Sequence, residues 1–267
     1  EFRRVLFRSQ GITEPIPVSS SGHLLIFQKL LKGLDTIDYR ILATITNFGS
    51  LLAILILFRK KIIKLIKGFF TYIKTKEKKY YDDYKYSWYI VLATIPAGLV
   101  GLIVEKLGLF DFLEENVKFV GLTLLITSIF LFVIKDFKGI KESKQITLKD
   151  AITIGLFQVV ALLPGISRSG ATIVGGMFRN LKREVAFDFS FILYIPISIA
   201  TAILGIKDLL EASLTLTQYI YYGISMIMAF IFTYIGTIWF KNIVKKGKLI
   251  YFVVYCIIVG SLVIIFL

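Results

Sequence analysis

The chain has 267 residues, 56% of them hydrophobic, with a formal net charge of +14 and one cysteine. Strongly positive mean hydropathy excludes an ordinary soluble domain and points to a compact membrane bundle. The basic residues sit in short blocks between apolar runs with no aromatic-interleaved groove, which excludes nucleic-acid binding, and a lone Cys256 excludes a disulfide framework or cysteine metal site.

In chain order, residues 1–9 carry Arg3, Arg4 and Arg8 and read as a cloning or sequence-assembly scar. Residues 10–34 are apolar but interrupted, and hold Gln10-Gly-Ile-Thr-Glu14-Pro-Ile-Pro17-Val-Ser19-Ser20-Ser21-Gly22-His23. Three runs long enough to cross a bilayer follow, at about 40–58, 87–104 and 118–134. A second interrupted stretch, about 150–178, holds Gln158 and then Pro164-Gly165-Ile-Ser167-Arg168-Ser169-Gly170-Ala-Thr172. Three more runs close the chain, at about 185–205, 218–240 and 249–267.

The two polar signatures lie 148 positions apart: Gln10 falls on Gln158, Ser19 on Ser167, Ser21 on Ser169 and Gly22 on Gly170. Lipid penalises unpaired backbone, so a Pro- and Gly-broken segment persists only inside protein or beside a water-filled cavity. Both stretches are therefore expected to be re-entrant helical hairpins. Counting Lys and Arg, the segments 59–85, 135–149 and 241–248 share the cytoplasmic side, opposite the acidic 105–115 and 207–211. The run from about 40 then travels inward, while its counterpart in the second copy travels outward. The expected fold is one all-α polytopic membrane domain over 1–267. It has about six transmembrane helices plus the two hairpins in inverted-topology repeats, at about 10–60 and 158–208, with hairpin tips that meet within the membrane.

Ionisable groups inside a membrane are costly and are functional candidates by default. One tip offers Glu14, three serines and His23; the other offers Arg168 between Ser167 and Ser169, with Thr172 a turn later. A guanidinium fork with hydroxyls and freed amides suits phosphate oxygens. Serine beside an imidazole is the minimum for nucleophilic attack. Each residue also has a plain structural reading: packing serines, a satisfied core histidine, a Glu14–Arg168 ion pair, prolines that kink. Those readings do not explain why the pattern recurs at one offset in two inverted copies.

The paired motifs resemble the undecaprenyl-diphosphate phosphatases, also called bacitracin-resistance proteins. The likeness extends through Asn47-Phe-Gly-Ser50 and through 184–196, although Pro15 stands where the family usually has Phe. The resemblance implies a multi-pass enzyme of the bacterial plasma membrane, its active site open to the outer face. It would hydrolyse undecaprenyl diphosphate to undecaprenyl phosphate and return the carrier to peptidoglycan synthesis. Bacitracin would compete for that substrate rather than bind the protein, and a homodimer is left open. Carried over, Glu14 holds a divalent cation, Mg or Ca, or orients the base. Ser20 matches the nucleophile, His23 activates it, protonates the leaving oxygen or is itself the nucleophile, and Arg168 clamps the diphosphate. Gln10, Ser19, Ser21, Ser167, Ser169 and Thr172 complete the cradle. The rival reading is a secondary transporter or polyprenyl-phosphate flippase, for which broken helices and inverted repeats also speak.

Overall fold

A computed structural model describes residues 13–30, 39–109, 116–212 and 214–267. Among them the secondary structure is helical apart from a single bridge between Lys141 and Leu181. The nine α-helices are α1 (Ser20–Leu30), α2 (Tyr39–Thr75), α3 (Tyr81–Lys106), α4 (Val117–Ile134), α5 (Leu148–Val160), α6 (Arg168–Phe178), α7 (Arg183–Glu211), α8 (Leu216–Lys246) and α9 (Ile250–Phe266). Helices α2, α3, α4, α7 and α8 are long and apolar enough to cross a membrane. The sixth expected span, α9, has 17 residues and lies at the short limit for crossing. It packs along α4, where Gly121 and Gly260 face each other. A Cβ on either would stand 2.8–2.9 Å from the other's carbonyl oxygen, so only glycine permits this approach.

One boundary differs from expectation. The run from 40 was expected to end near 58, yet α2 continues to Thr75 through the lysine block. Lysine is a good helix former and no proline interrupts it, so charge ends the apolar span without ending the helix. At 37 residues α2 is about 55 Å long, well beyond a hydrocarbon layer of about 30 Å.

The basic ends gather on one face. Asp188, near the start of α7, takes Lys61 of α2 at 3.1 Å and Lys241 of α8 at 2.9 Å. Helix α2 therefore runs toward this face and α7 away from it, as inverted copies require. The second hairpin enters here as well. Asp150 at the start of α5 holds Lys141 (3.0 Å) and Arg179 (2.9 Å), and Arg183 Nη2 donates to the Lys135 carbonyl. Helix α5 descends from a capping box between Thr147 and Asp150, and α6 returns. Its counterpart α1 begins and ends 148 positions earlier. Only the returning arm of the first hairpin is described; Gln10, residues 1–9 and the acidic 110–115 lie outside the described residues.

Candidate active site

The two tips meet in the middle of the bundle. A Cβ on Gly22 would lie 2.9 Å from Gly165 Cα, and one on Gly170 would lie 3.1 Å from Pro17 Cβ. Helix α1 starts at Ser20 and α6 starts at Arg168, so the two residues hold equivalent places. The caps match too. Ser19 Oγ accepts from the Gly22 amide and Ser167 Oγ from the Gly170 amide, each at 3.2 Å. Ser21 and Ser169 lie 3.3 Å from these capping hydroxyls. Two helix N-termini thus converge, each adding positive potential and backbone donors for an anion.

Glu14 binds the tips together. Its Oε1 accepts from Arg168 Nη2 at 2.6 Å, and its Oε2 accepts from the Ser20 hydroxyl. Arg168 is further fixed by its flat face, with Cζ 3.9 Å from the centre of the Tyr194 ring. Tyr194 donates to Asn47 Oδ1 at 2.7 Å, and Asn47 Nδ2 donates to Thr201 at 3.0 Å. Glu14, Ser20, Arg168, Asn47 and Thr201 line a cavity of about 380 Å³ that also takes in Thr13, Leu24, Gln28 and Thr44, while Tyr194 lies outside its lining. Its walls are the start of α2 and the far half of α7, so it opens away from the basic face.

The structure brings Glu14, Ser19, Ser20, Ser21, Ser167, Arg168 and Ser169 to this cavity. It leaves two of the expected residues out. His23 is buried behind the first tip, where Nδ1 lies 2.8 Å from the Ser19 carbonyl and Nε2 lies 2.7 Å from the Tyr255 hydroxyl. The carbonyl accepts, so Nδ1 carries the proton and Nε2 accepts from Tyr255. Both nitrogens are committed away from Ser20. The contact explains the local backbone: Ser19 has φ +65°, a left-handed conformation that L residues adopt at a cost, and His23 holds its carbonyl there. Thr172 is likewise outside the cavity, its hydroxyl 2.8 Å from the Arg168 carbonyl and 2.5 Å from Ser190 Oγ. It braces the first turn of α6.

Sequence reasoning gave no role to Asn47, Tyr194, Thr201 or Tyr255. Asn47 and Tyr194 lie within the segments that carry the family likeness, but nothing in the residue pattern says that they meet. The second tip also rests on unforeseen partners, since Thr123 donates to the Pro164 carbonyl at 2.6 Å and Thr127 to that of Gly165 at 3.2 Å. The residues do not fit a protein-built cation cage. Among the described residues no three His, Cys, Asp or Glu side chains converge, and both oxygens of Glu14 are already engaged.

Residues 9–262 match the family model for the bacitracin resistance protein BacA. The chain belongs to the BacA family. Curated relatives cover almost all of it. An "Undecaprenyl-diphosphatase 2" of Bacillus thuringiensis is 45% identical over 261 residues, which is 97% of this chain and 94% of that protein. An "Undecaprenyl-diphosphatase" of Oceanobacillus iheyensis is 43% identical, covering 98% and 95%. An "Undecaprenyl-diphosphatase 1" of Halalkalibacterium halodurans is 42% identical, covering 95% and 91%. Both tips and the residues that brace them, as far as Tyr255, fall inside the matched region.

Proposed function

We propose that the protein hydrolyses undecaprenyl diphosphate to undecaprenyl phosphate and inorganic phosphate, and that Ser20 is the nucleophile. The observation that carries this reading is the convergence of two serine-capped helix N-termini on Arg168 and on a Ser20 hydroxyl already donating to Glu14. The terminal phosphate sits between the tips, where Arg168 and the first-turn amides of α1 and α6 that the caps do not use stabilise its oxygens. Glu14 takes the Ser20 proton as Oγ attacks phosphorus. The bond to the bridging oxygen breaks, and undecaprenyl phosphate departs. Glu14 returns its proton to that oxygen, then deprotonates the water that displaces phosphate from Ser20 and passes that proton to the Ser20 Oγ. His23 and Tyr255 keep Ser19 in its left-handed turn and so aim Ser20.

An apolar cavity of about 390 Å³ adjoins the polar one through Thr44 and is lined by Phe48, Leu209, Tyr219 and Met226; it suits the isoprenoid end of the substrate. With one committed carboxylate, Mg or Ca is proposed to arrive on the diphosphate, whose oxygens and waters supply its ligands. Positive charge on the opposite face supports a cleft open to the outer side of the bacterial plasma membrane. Bacitracin would then act by sequestering the shared substrate.

Phosphate release from undecaprenyl diphosphate by purified protein in detergent tests this reading, with chelator and with added Mg or Ca. Ser20→Ala and Arg168→Lys are each expected to lower turnover by at least about a hundredfold on folded protein, because an ammonium cannot reproduce the guanidinium fork. Near-full turnover in Ser20→Ala would remove the serine mechanism, and near-full turnover in both would favour the transporter reading.

A further inference from the structure

Another large cavity lies at the opposite end of the molecule from the reaction cleft. It holds about 630 Å³ between the lysine-rich end of α2, the start of α3 and residues 142–144. Its charge is unbalanced. Lys64 and Lys144 make only loose contacts with Asp83 (3.5 Å) and Asp82 (3.8 Å), and the third carboxylate, Glu142, pairs with Lys182. Among the described residues no carboxylate pairs with Lys67 or Lys79. Tyr86 also lines the cavity. It is 4% exposed, and its hydroxyl has no hydrogen-bond partner among the described residues. A buried, unsatisfied hydroxyl costs free energy unless something brings it an acceptor.

The same hairpin carries marks of the membrane interface. Phe69, Tyr72, Tyr84 and Trp88 form one ring cluster, with Trp88 and Tyr81 exposed, in the manner of an aromatic belt at headgroup level. On α2, Ile63, Ile66, Phe70 and Ile73 are all exposed at spacings of three and four, an apolar stripe beside the lysines. Cations and a spare donor therefore stand where phosphates of the leaflet lie. We propose that this cavity binds the phosphodiester headgroup of an acidic phospholipid from the leaflet at the basic face. Lys64, Lys67 and Lys79 supply charge, and Tyr86 donates its free hydroxyl.

The test is native mass spectrometry of the full chain in detergent, with dioleoyl phosphatidylglycerol and dioleoyl phosphatidylcholine offered in equal amounts. Phosphatidylglycerol should be retained at least about tenfold better, given roughly fivefold per lysine near an anionic headgroup. Lys64→Gln/Lys67→Gln/Lys79→Gln should abolish the preference, and Tyr86→Phe should weaken it severalfold. Arg168→Ala should leave it unchanged, which separates this site from the reaction cleft. Retained phosphate release in the triple variant checks its folding, since these lysines lie on the opposite face from the cleft. The proposal fails if the preference survives the triple variant or disappears in Arg168→Ala. It also fails if inorganic phosphate in excess displaces the lipid, which would make this a site for the free anion.

Discussion

Arg168 is held on two sides: Glu14 takes one edge of the guanidinium and the Tyr194 ring lies under its face. The ion pair fixes its charge and the ring fixes its plane, which matters because a bidentate phosphate contact depends on orientation. Tyr194 is a positioning residue whose own place depends on Asn47. Its ring and its hydroxyl should separate by mutation. Tyr194→Phe keeps the stacking surface and should cost severalfold in kcat/KM; Tyr194→Leu should cost more, about tenfold or above, given a cation–π contact of roughly 1–2 kcal/mol. Steady-state kinetics on undecaprenyl diphosphate would decide it, and equal losses in the two variants would deny the ring its role. Such a contact could not be read from a tyrosine in an apolar run, because stacking on a residue 26 positions earlier is made only by the packing of α6 on α7.

Helix termini give this protein its chemistry at the next scale. The serines of the Ser19–Gly22 and Ser167–Gly170 caps were legible in the sequence as a pair repeated at one offset. The left-handed turn at Ser19 was not, because its support comes from His23 and, beyond it, from Tyr255 on α9. At the base of the second hairpin, buried Asp150 caps α5 and gathers Lys141 and Arg179. Burial alone would raise its pKa, but the Thr147 amide and hydroxyl, Lys141 and Arg179 outweigh burial and hold it below the ordinary 3.8. A depressed carboxylate stabilises the folded state above its unfolded pKa and loses that contribution as pH falls through the folded value. Asp150→Asn should therefore lower the Tm in detergent by a constant amount from pH 8 down to 5, a loss of about 3 kcal/mol for a broken buried pair. The gap between the two proteins should close only below pH 3.8. Thermal unfolding across that range checks it, and a gap that widened toward acid would reverse the sign argued here.

Across the molecule, α1 runs from the tip toward the face opposite the base of the second hairpin, and the reaction cleft opens away from the lysine-rich side. Single cysteines in a Cys256→Ser background should report this directly. A probe at Gln218, in the first turn of α8, should react with an impermeant reagent added outside intact cells, and one at Lys144 should react only after lysis. The opposite pattern would turn the cleft toward the cytoplasm.

The class of the fold, the two broken segments, their 148-residue repeat, the basic face and most of the polar side chains of the cleft could be read from the chain alone. These are properties of local pattern: apolar run length, charge between runs, proline and glycine in breaks, hydroxyls at helix starts. The packing of the helices settled which of those groups share a cavity. It turned His23 and Thr172 away from the cleft, because a helix places successive side chains on different faces and the neighbours of each face come from distant elements. It brought in Asn47, Tyr194 and Thr201, whose meeting requires α2 and α7 to lie side by side. It also carried α2 beyond the membrane as one helix, since a lysine block ends a hydrophobic span and leaves the backbone hydrogen bonds of the helix intact.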